Sequence, residues 1–237
     1  VFVQNAGAKS VILPPDTEHF QISLDAMEQA ITPKTRAIIV NSPNNPSGVV
    51  YSAETYEKLA ALLERKSKEM GHPIYLISDE PYREIIYDGL PILYVPKFYR
   101  DTIICYSYSK SLSLPGERIG YILVPDCVTA SKEVYTAVCG AGRFMGFVCA
   151  PHLFQDVILK CMGQTSDVDV YDQNRKLLYN GLKEMGYDCV YPSGAFYLFV
   201  KSPEPDAKAF SDKAKKLNLL IVPADSFGCP GYVRISY

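Results

Sequence analysis

The chain has 237 residues, 48% of them hydrophobic and 21% charged, with a formal net charge of -2. This is the composition of a globular protein long enough for one large domain or two smaller ones. The charge gives no footprint for nucleic acid or an anionic membrane surface, and no segment approaches the roughly 20 consecutive apolar residues of a membrane span.

The first residues, Val-Phe-Val-Gln-Asn-Ala-Gly, have neither the basic start nor the apolar stretch of a signal peptide, so a cytoplasmic location is expected. There is no initiator Met, which suggests a start partway through a longer protein. The 7 cysteines form no C-x-x-C pair and have only 3 histidines to join them. Neither a metal site nor a disulfide framework is expected; buried, inert thiols are.

Short apolar runs alternate with amphipathic stretches. Ala37 to Val40 reads as a strand ending at Asn41-Ser-Pro. Ser52 is a good helix N-cap; Tyr56, Leu59, Ala60 and Leu63 fall at helical spacing, and Gly71 and Pro73 stop the run. Ile74 to Ile77, Thr102 to Tyr106 and Ile119 to Val124 read as further strands. Continuous apolar strands separated by helices predict a mostly parallel sheet covered on both faces. Helices are predicted from Cys127 to Val138, from His152 to Met162 and, as one long element, from Asp167 to Gly186. Strands at Tyr187 to Val190, Ala195 to Val200, Leu219 to Val222 and Tyr232 to Ser236 follow, with a helix around Asp206 to Leu217. The fold class is therefore α/β, a large domain over residues 1–168 and a small α+β domain over residues 169–237.

Three polar clusters follow predicted strands, where parallel α/β sheets bind ligands. They are Asn41-Ser-Pro-Asn-Asn-Pro-Ser-Gly48, Asp79-Glu-Pro-Tyr82, and Ser107-Tyr-Ser-Lys110 with Arg118 beyond. Each alone also has a plain structural use: a turn, an acidic helix start, a solvated lysine. Their order is more telling. With Gly-Glu-Arg-Ile-Gly at 116–120, Pro-Ser-Gly-Ala-Phe-Tyr at 192–197 and Val-Arg-Ile-Ser at 233–236, the set resembles the class I/II aminotransferases, pyridoxal-phosphate enzymes of the type I fold. The similarity extends over essentially the whole chain.

The resemblance implies pyridoxal 5'-phosphate as cofactor and a role for each matching residue. Lys110 is implied as the Schiff-base lysine, whose amine must be neutral to attack and later shuttles the substrate proton. Asp79 is implied as the partner of the pyridine nitrogen. Tyr82 and Asn45 are implied as donors to the ring phenolic oxygen. Ser107, Arg118 and, more weakly, Ser109 are implied at the phosphate, and Arg234 at the substrate α-carboxylate, where a forked guanidinium suits an oxyanion. A transaminase working in two half-reactions, with an amino acid and a 2-oxo acid as its small-molecule substrates, is the leading expectation. A lyase or decarboxylase on the same fold, or a non-catalytic sensor domain, are the alternatives.

Gly140-Ala-Gly-Arg-Phe-Met-Gly146 mimics a dinucleotide loop, but its spacing is wrong and it follows a predicted helix. Arg143 matches weakly a position where some relatives read a distal carboxylate. Relatives of this family carry an N-terminal segment with a further phosphate-binding helix terminus, and they act as homodimers. By that resemblance the chain is expected to be a fragment without that segment, both domains incomplete, binding cofactor weakly or not at all by itself.

Overall fold

The computed structural model describes residues 2–237. Two four-stranded sheets organise the chain. The first has the order β1 (Ala37–Asn41), β2 (Tyr75–Asp79), β3 (Thr102–Ser107), β4 (Gly120–Leu123). The first three strands are parallel and β4 is antiparallel to β3. The second, wholly antiparallel sheet has the order β5 (Cys189–Val190), β6 (Tyr197–Lys201), β8 (Tyr232–Ser236), β7 (Val222–Pro223).

Helices α1 (Phe2–Asn5) and α2 (Leu24–Ala30) precede β1; Ser23 occupies the N-cap of α2 without a side-chain capping hydrogen bond. Helix α3 (Ala53–Met70) starts as predicted, with Ser52 Oγ accepting from Thr55 N, and ends at Gly71 in the left-handed region. It buries Tyr56, Leu59, Leu62 and Leu63 against Val40, Ile74 and Leu76 of the first sheet. That packing selects one face of β1: Val40 is buried, whereas its neighbour Ile39 is 58% exposed. Ile122 on β4 is also exposed, so the two-sided cover expected of apolar strands is incomplete in this chain.

After the short α4 (Tyr108–Ser111) and β4 come α5 (Ser131–Phe144), α6 (His152–Lys160), α7 (Val168–Glu184) and α8 (Ala207–Lys216). Helix α5 starts later than Cys127 because residues 125–129 form a turn pinned to β3, the Asp101 carboxylate accepting from Thr129 N at 2.6 Å and Thr129 Oγ1 at 3.2 Å. It ends later than Val138 because Gly140 and Gly142 continue the helix rather than break it. The glycine string that mimics a nucleotide loop is thus mostly helical. The expected inertness of the cysteines holds for buried Cys189 and Cys229 but not for Cys127, Cys139 and Cys149, which are exposed. The physical reason at Cys139 is that α5 buries none of its residues.

Helix α7 has Asp167 as N-cap, its side chain accepting from Val170 N. Its Arg175 is 1% exposed and ties the helix to two loops, donating to both carboxylate oxygens of Asp88 at 2.8 Å and to Pro192 O at 2.8 Å. Strand β6 begins at Tyr197 rather than Ala195 because residues 192–195 wrap against the first unit instead of pairing within the second sheet. Ser193 N and Gly194 N both donate to Gly48 O at 2.8 Å, and Ala195 N donates to Ile85 O at 2.8 Å. A Cβ on Gly194 would lie 2.7 Å from Pro43 Cβ and 2.9 Å from Ile85 O. Gly194→Ala is therefore expected to destabilise the chain by about 1–3 kcal/mol through overpacking, read as a lower urea midpoint at unchanged m-value.

Candidate active site

The parallel register sets Asn41, Asp79 and Cys105 side by side at the carboxyl ends of β1, β2 and β3. The Asp79 carboxylate is half-buried and has no cationic partner among the described residues. Its partner is Asn41, whose Nδ2 donates to Asp79 Oδ2 and to Asp79 O, each at 3.0 Å. Burial pushes the Asp79 carboxyl above its usual range, and the Asn41 hydrogen bond opposes that shift. The adjacent Glu80 turns away from this edge, accepts from Ser78 Oγ at 2.7 Å and is buried.

Asn41 also organises the loop that follows it. Its Oδ1 accepts from Asn45 N at 2.9 Å, while Asn44 Oδ1 accepts from Ser47 N and Ser47 Oγ at 3.1 and 2.8 Å. Asn45 Oδ1 then accepts from Arg234 Nη1 at 2.8 Å. The Arg234 guanidinium lies over the rings of Tyr197 and Phe227, at 4.5 and 5.1 Å from their centroids. Its Nε is buried without a hydrogen-bond partner. A guanidinium bonded to one neutral amide keeps most of its fork free for an oxyanion.

Tyr82 is buried, and its hydroxyl lies 2.8 Å from that of Tyr197. Burial, followed by this hydroxyl pairing, pushes its phenol up, so Tyr82 stays a neutral donor. Its ring meets the edge of Phe196 at 5.5 Å, and Lys110 Nζ lies 5.4 Å from the centroid of that same Phe196 ring. Lys110 is presented by α4, directly after β3. The Ser107 side chain accepts from Ser109 N at 3.2 Å, and Ser107 Oγ donates to Ser109 Oγ at 2.7 Å.

The structure thus joins Asp79, Asn45 and Arg234 through hydrogen bonds, joins Lys110 to Tyr82 through Phe196, and pairs Ser107 with Ser109. Arg118 is carried beside the end of β3, because Tyr108 N donates to Ile119 O at 3.1 Å. Its side chain is exposed and donates to Pro115 O at 2.9 Å rather than joining the two serines. Arg143, in the last turn of α5, is exposed and joins none of these groups. Asn41, Phe196 and Tyr197 carry much of the geometry, yet sequence reasoning assigned them no role. All three lie in the quoted strings, and Asn41 could have been picked out as the strand-end neighbour of Asp79.

Asp79 yields a stability prediction. A carboxyl whose folded pKa is raised above its unfolded value makes stability fall as pH rises through that window. Asp79→Asn, which keeps the shape and removes the charge, is expected to raise the melting temperature of the ligand-free chain at pH 7. The gain should vanish as acid titrates Asp79, which a melting series from pH 7 to 3 will show.

The chain thus gathers an amine, an acid without a cationic partner, a paired phenol and a guanidinium with free donors at and beside the carboxyl ends of the parallel strands, where α/β sheets bind ligands. Comparison with known proteins narrows this further. The model of the class I and II aminotransferases matches residues 1–237, and the chain belongs to that family. It is 33% identical to aromatic-amino-acid aminotransferase 2 of Thermococcus litoralis and 32% identical to the aspartate aminotransferase of Pyrococcus abyssi, each over 98% of this chain and 60% of the relative. Among solved structures, an amino transferase from Eubacterium rectale superposes with a TM-score of 0.96 at 62% identity, covering 100% of this chain and 59% of that one. A variant of Thermus thermophilus aspartate aminotransferase gives a TM-score of 0.85 at 31% identity, covering 99% and 64%. The chain therefore spans about 60% of the length of the relatives it matches. No helix among the described residues is long and apolar enough to cross a membrane.

Proposed function

We propose that this chain carries the cofactor and substrate groups of a pyridoxal-phosphate-dependent transaminase that moves an amino group between an amino acid and a 2-oxo acid. The observation that carries this reading is Asp79, a half-buried carboxylate whose only side-chain partner among the described residues is neutral Asn41. Such a group is costly unless a cation meets it, and a protonated pyridine nitrogen is that cation. The partnerless Nε of Arg234 makes the same demand at the substrate end.

When bound, pyridoxal phosphate supplies an aldehyde for covalent attachment and a ring that withdraws electrons from the substrate Cα. Lys110 provides the attaching amine and then moves the proton at that Cα. Asp79 keeps the ring nitrogen protonated. Tyr82 Oη and the free Nδ2 of Asn45 donate to the ring oxygen, while Arg234 clamps the α-carboxylate and so fixes which bond at Cα faces Lys110. Ser107 and Ser109 hold the phosphate, and Arg118 joins them there by giving up its contact with Pro115 O. With the boundary placed at the head of α7, residues 1–168 supply every cofactor group and residues 169–237 supply Arg234. A homodimer in the cytoplasm belongs to the same proposal. The names of the relatives, which are aminotransferases of aspartate and aromatic amino acids, support transfer as the reaction.

The test is chemical labelling. The chain is incubated with pyridoxal phosphate, reduced with borohydride, and mapped by peptide mass. A single pyridoxyl adduct on Lys110 is expected; adducts scattered over surface lysines, or none, would reject the site.

A further inference from the structure

The string Asn41 to Gly48 contributes one cofactor ligand, Asn45, but its first residue makes more contacts within the site than any other side chain of the loop. Asn41 Nδ2 donates to the carboxylate and to the backbone carbonyl of Asp79, while its Oδ1 accepts from the backbone N–H of Asn45. An amide can do both without carrying charge, donating from its nitrogen and accepting at its oxygen. It does so from the end of β1, directly beside Asp79 in the parallel register.

We propose, resting on the cofactor reading above, that Asn41 is a positioning residue that aims the Asp79 carboxylate at the ring nitrogen and, through the same side chain, fixes Asn45 against Arg234. The two ends of the site, ring nitrogen and substrate carboxylate, are thereby set by one amide. A donor to Oδ2 leaves Oδ1 to face the ligand, so the carboxylate offers a chosen oxygen rather than rotating freely. The other titratable groups near Asp79 are Cys105 from β3 and the Tyr82 phenol, and burial and the neighbouring acid push both up. Neither supplies a positive charge, so Asn41 alone among these neighbours favours the ionised acid.

The proposal separates from a merely structural role in three measurements. First, in the ligand-free chain labelled with 13C at aspartate Cγ, and with Asp79 assigned by its loss in Asp79→Asn, Asn41→Ala should move the Asp79 midpoint upward. Second, Asn41→Ala should weaken pyridoxal phosphate binding about 10- to 100-fold, the worth of a hydrogen bond to a charged group. Third, Asn41→Asp keeps the acceptor for Asn45 N but puts a second carboxylate beside Asp79. Its affinity relative to wild type should therefore recover as pH falls and the pair takes up one proton, whereas Asn41→Ala stays weak throughout. An unmoved Asp79 midpoint in folded Asn41→Ala overturns the assignment. If Asn41→Ala does not fold, Asn41→Asp decides, and a pH-independent affinity ratio overturns it. Should wild type bind no pyridoxal phosphate while the carboxyl midpoint still moves, the Asn41 contact stands and the cofactor reading fails.

Discussion

Lys110→Ala is expected to abolish the borohydride-trapped adduct and to lower the rate of amino transfer by at least about 10²–10⁴-fold, the usual contribution of a placed proton-transfer group. In the proposed function covalent attachment and proton transfer fall on one amine, so its removal should take both away. Added methylamine or another small amine should restore part of the proton transfer, while the adduct on the chain stays absent. The structural cost should be small, because Lys110 lies on a four-residue helix, partly exposed, with an aromatic face as its main neighbour. A melting temperature close to wild type, together with lost transfer, is the expected pair of results. A variant retaining more than a tenth of the wild-type rate would remove Lys110 from the chemistry.

The largest effect on stability is expected at Arg175. Its guanidinium sits between the rings of Tyr87 and Tyr191, at 4.5 and 5.1 Å, and meets Asp88, Asp172 and the carbonyl of Pro192. Arg175→Ala takes the guanidinium from both acids, leaving Asp88 with Tyr191 Oη and Asp172 with Lys176 Nζ, and strips the buried Pro192 carbonyl of its Arg175 donor. Breaking a buried pair costs about 3–5 kcal/mol, and the partial exposure of both acids, 39% and 25%, places this case near the lower end. The pH dependence has a definite sign. Arg175 holds the Asp88 carboxyl down at about 2, below the ordinary value of roughly 3.9. The stabilisation is fully present above the ordinary value and is lost as pH falls through about 2. Urea denaturation of wild type from pH 6 to 2 should show this loss, and Arg175→Ala should lack the Asp88 part of it. Pro192 opens the segment that reaches Gly48, so the variant should also bind substrate carboxylates more weakly.

Much of the fold was legible because burial imposes periodicity. The start and stop of α3, the span of β8 and the α7 cap followed from caps and apolar spacing alone. The start of β6 did not, because residues 192–195 satisfy their backbone groups on another part of the chain, which no local pattern encodes. The antiparallel β4 was equally invisible: an apolar run fixes a strand but not its direction. At the site, the groups that do chemistry were readable as charged or hydroxyl residues just after strands. Those that connect them were not. Asn41 reads as a turn residue, and Phe196 and Tyr197 read as core. Arg118 shows the reverse case, where a sequence string names a residue and its side chain turns to a local carbonyl.

The contacts of the site span very different distances along the chain. Asn41 meets Asp79 across 38 residues, whereas Arg234 meets Asn45 across 189. Closing the longer loop costs about 1 kcal/mol more chain entropy, and it also requires β8 to have paired with β6. The ring-nitrogen end can therefore take shape while a nascent chain is still being made. The carboxylate clamp has to wait for β8. On the function proposed above, this order gives the chain a place for cofactor before a grip on substrate.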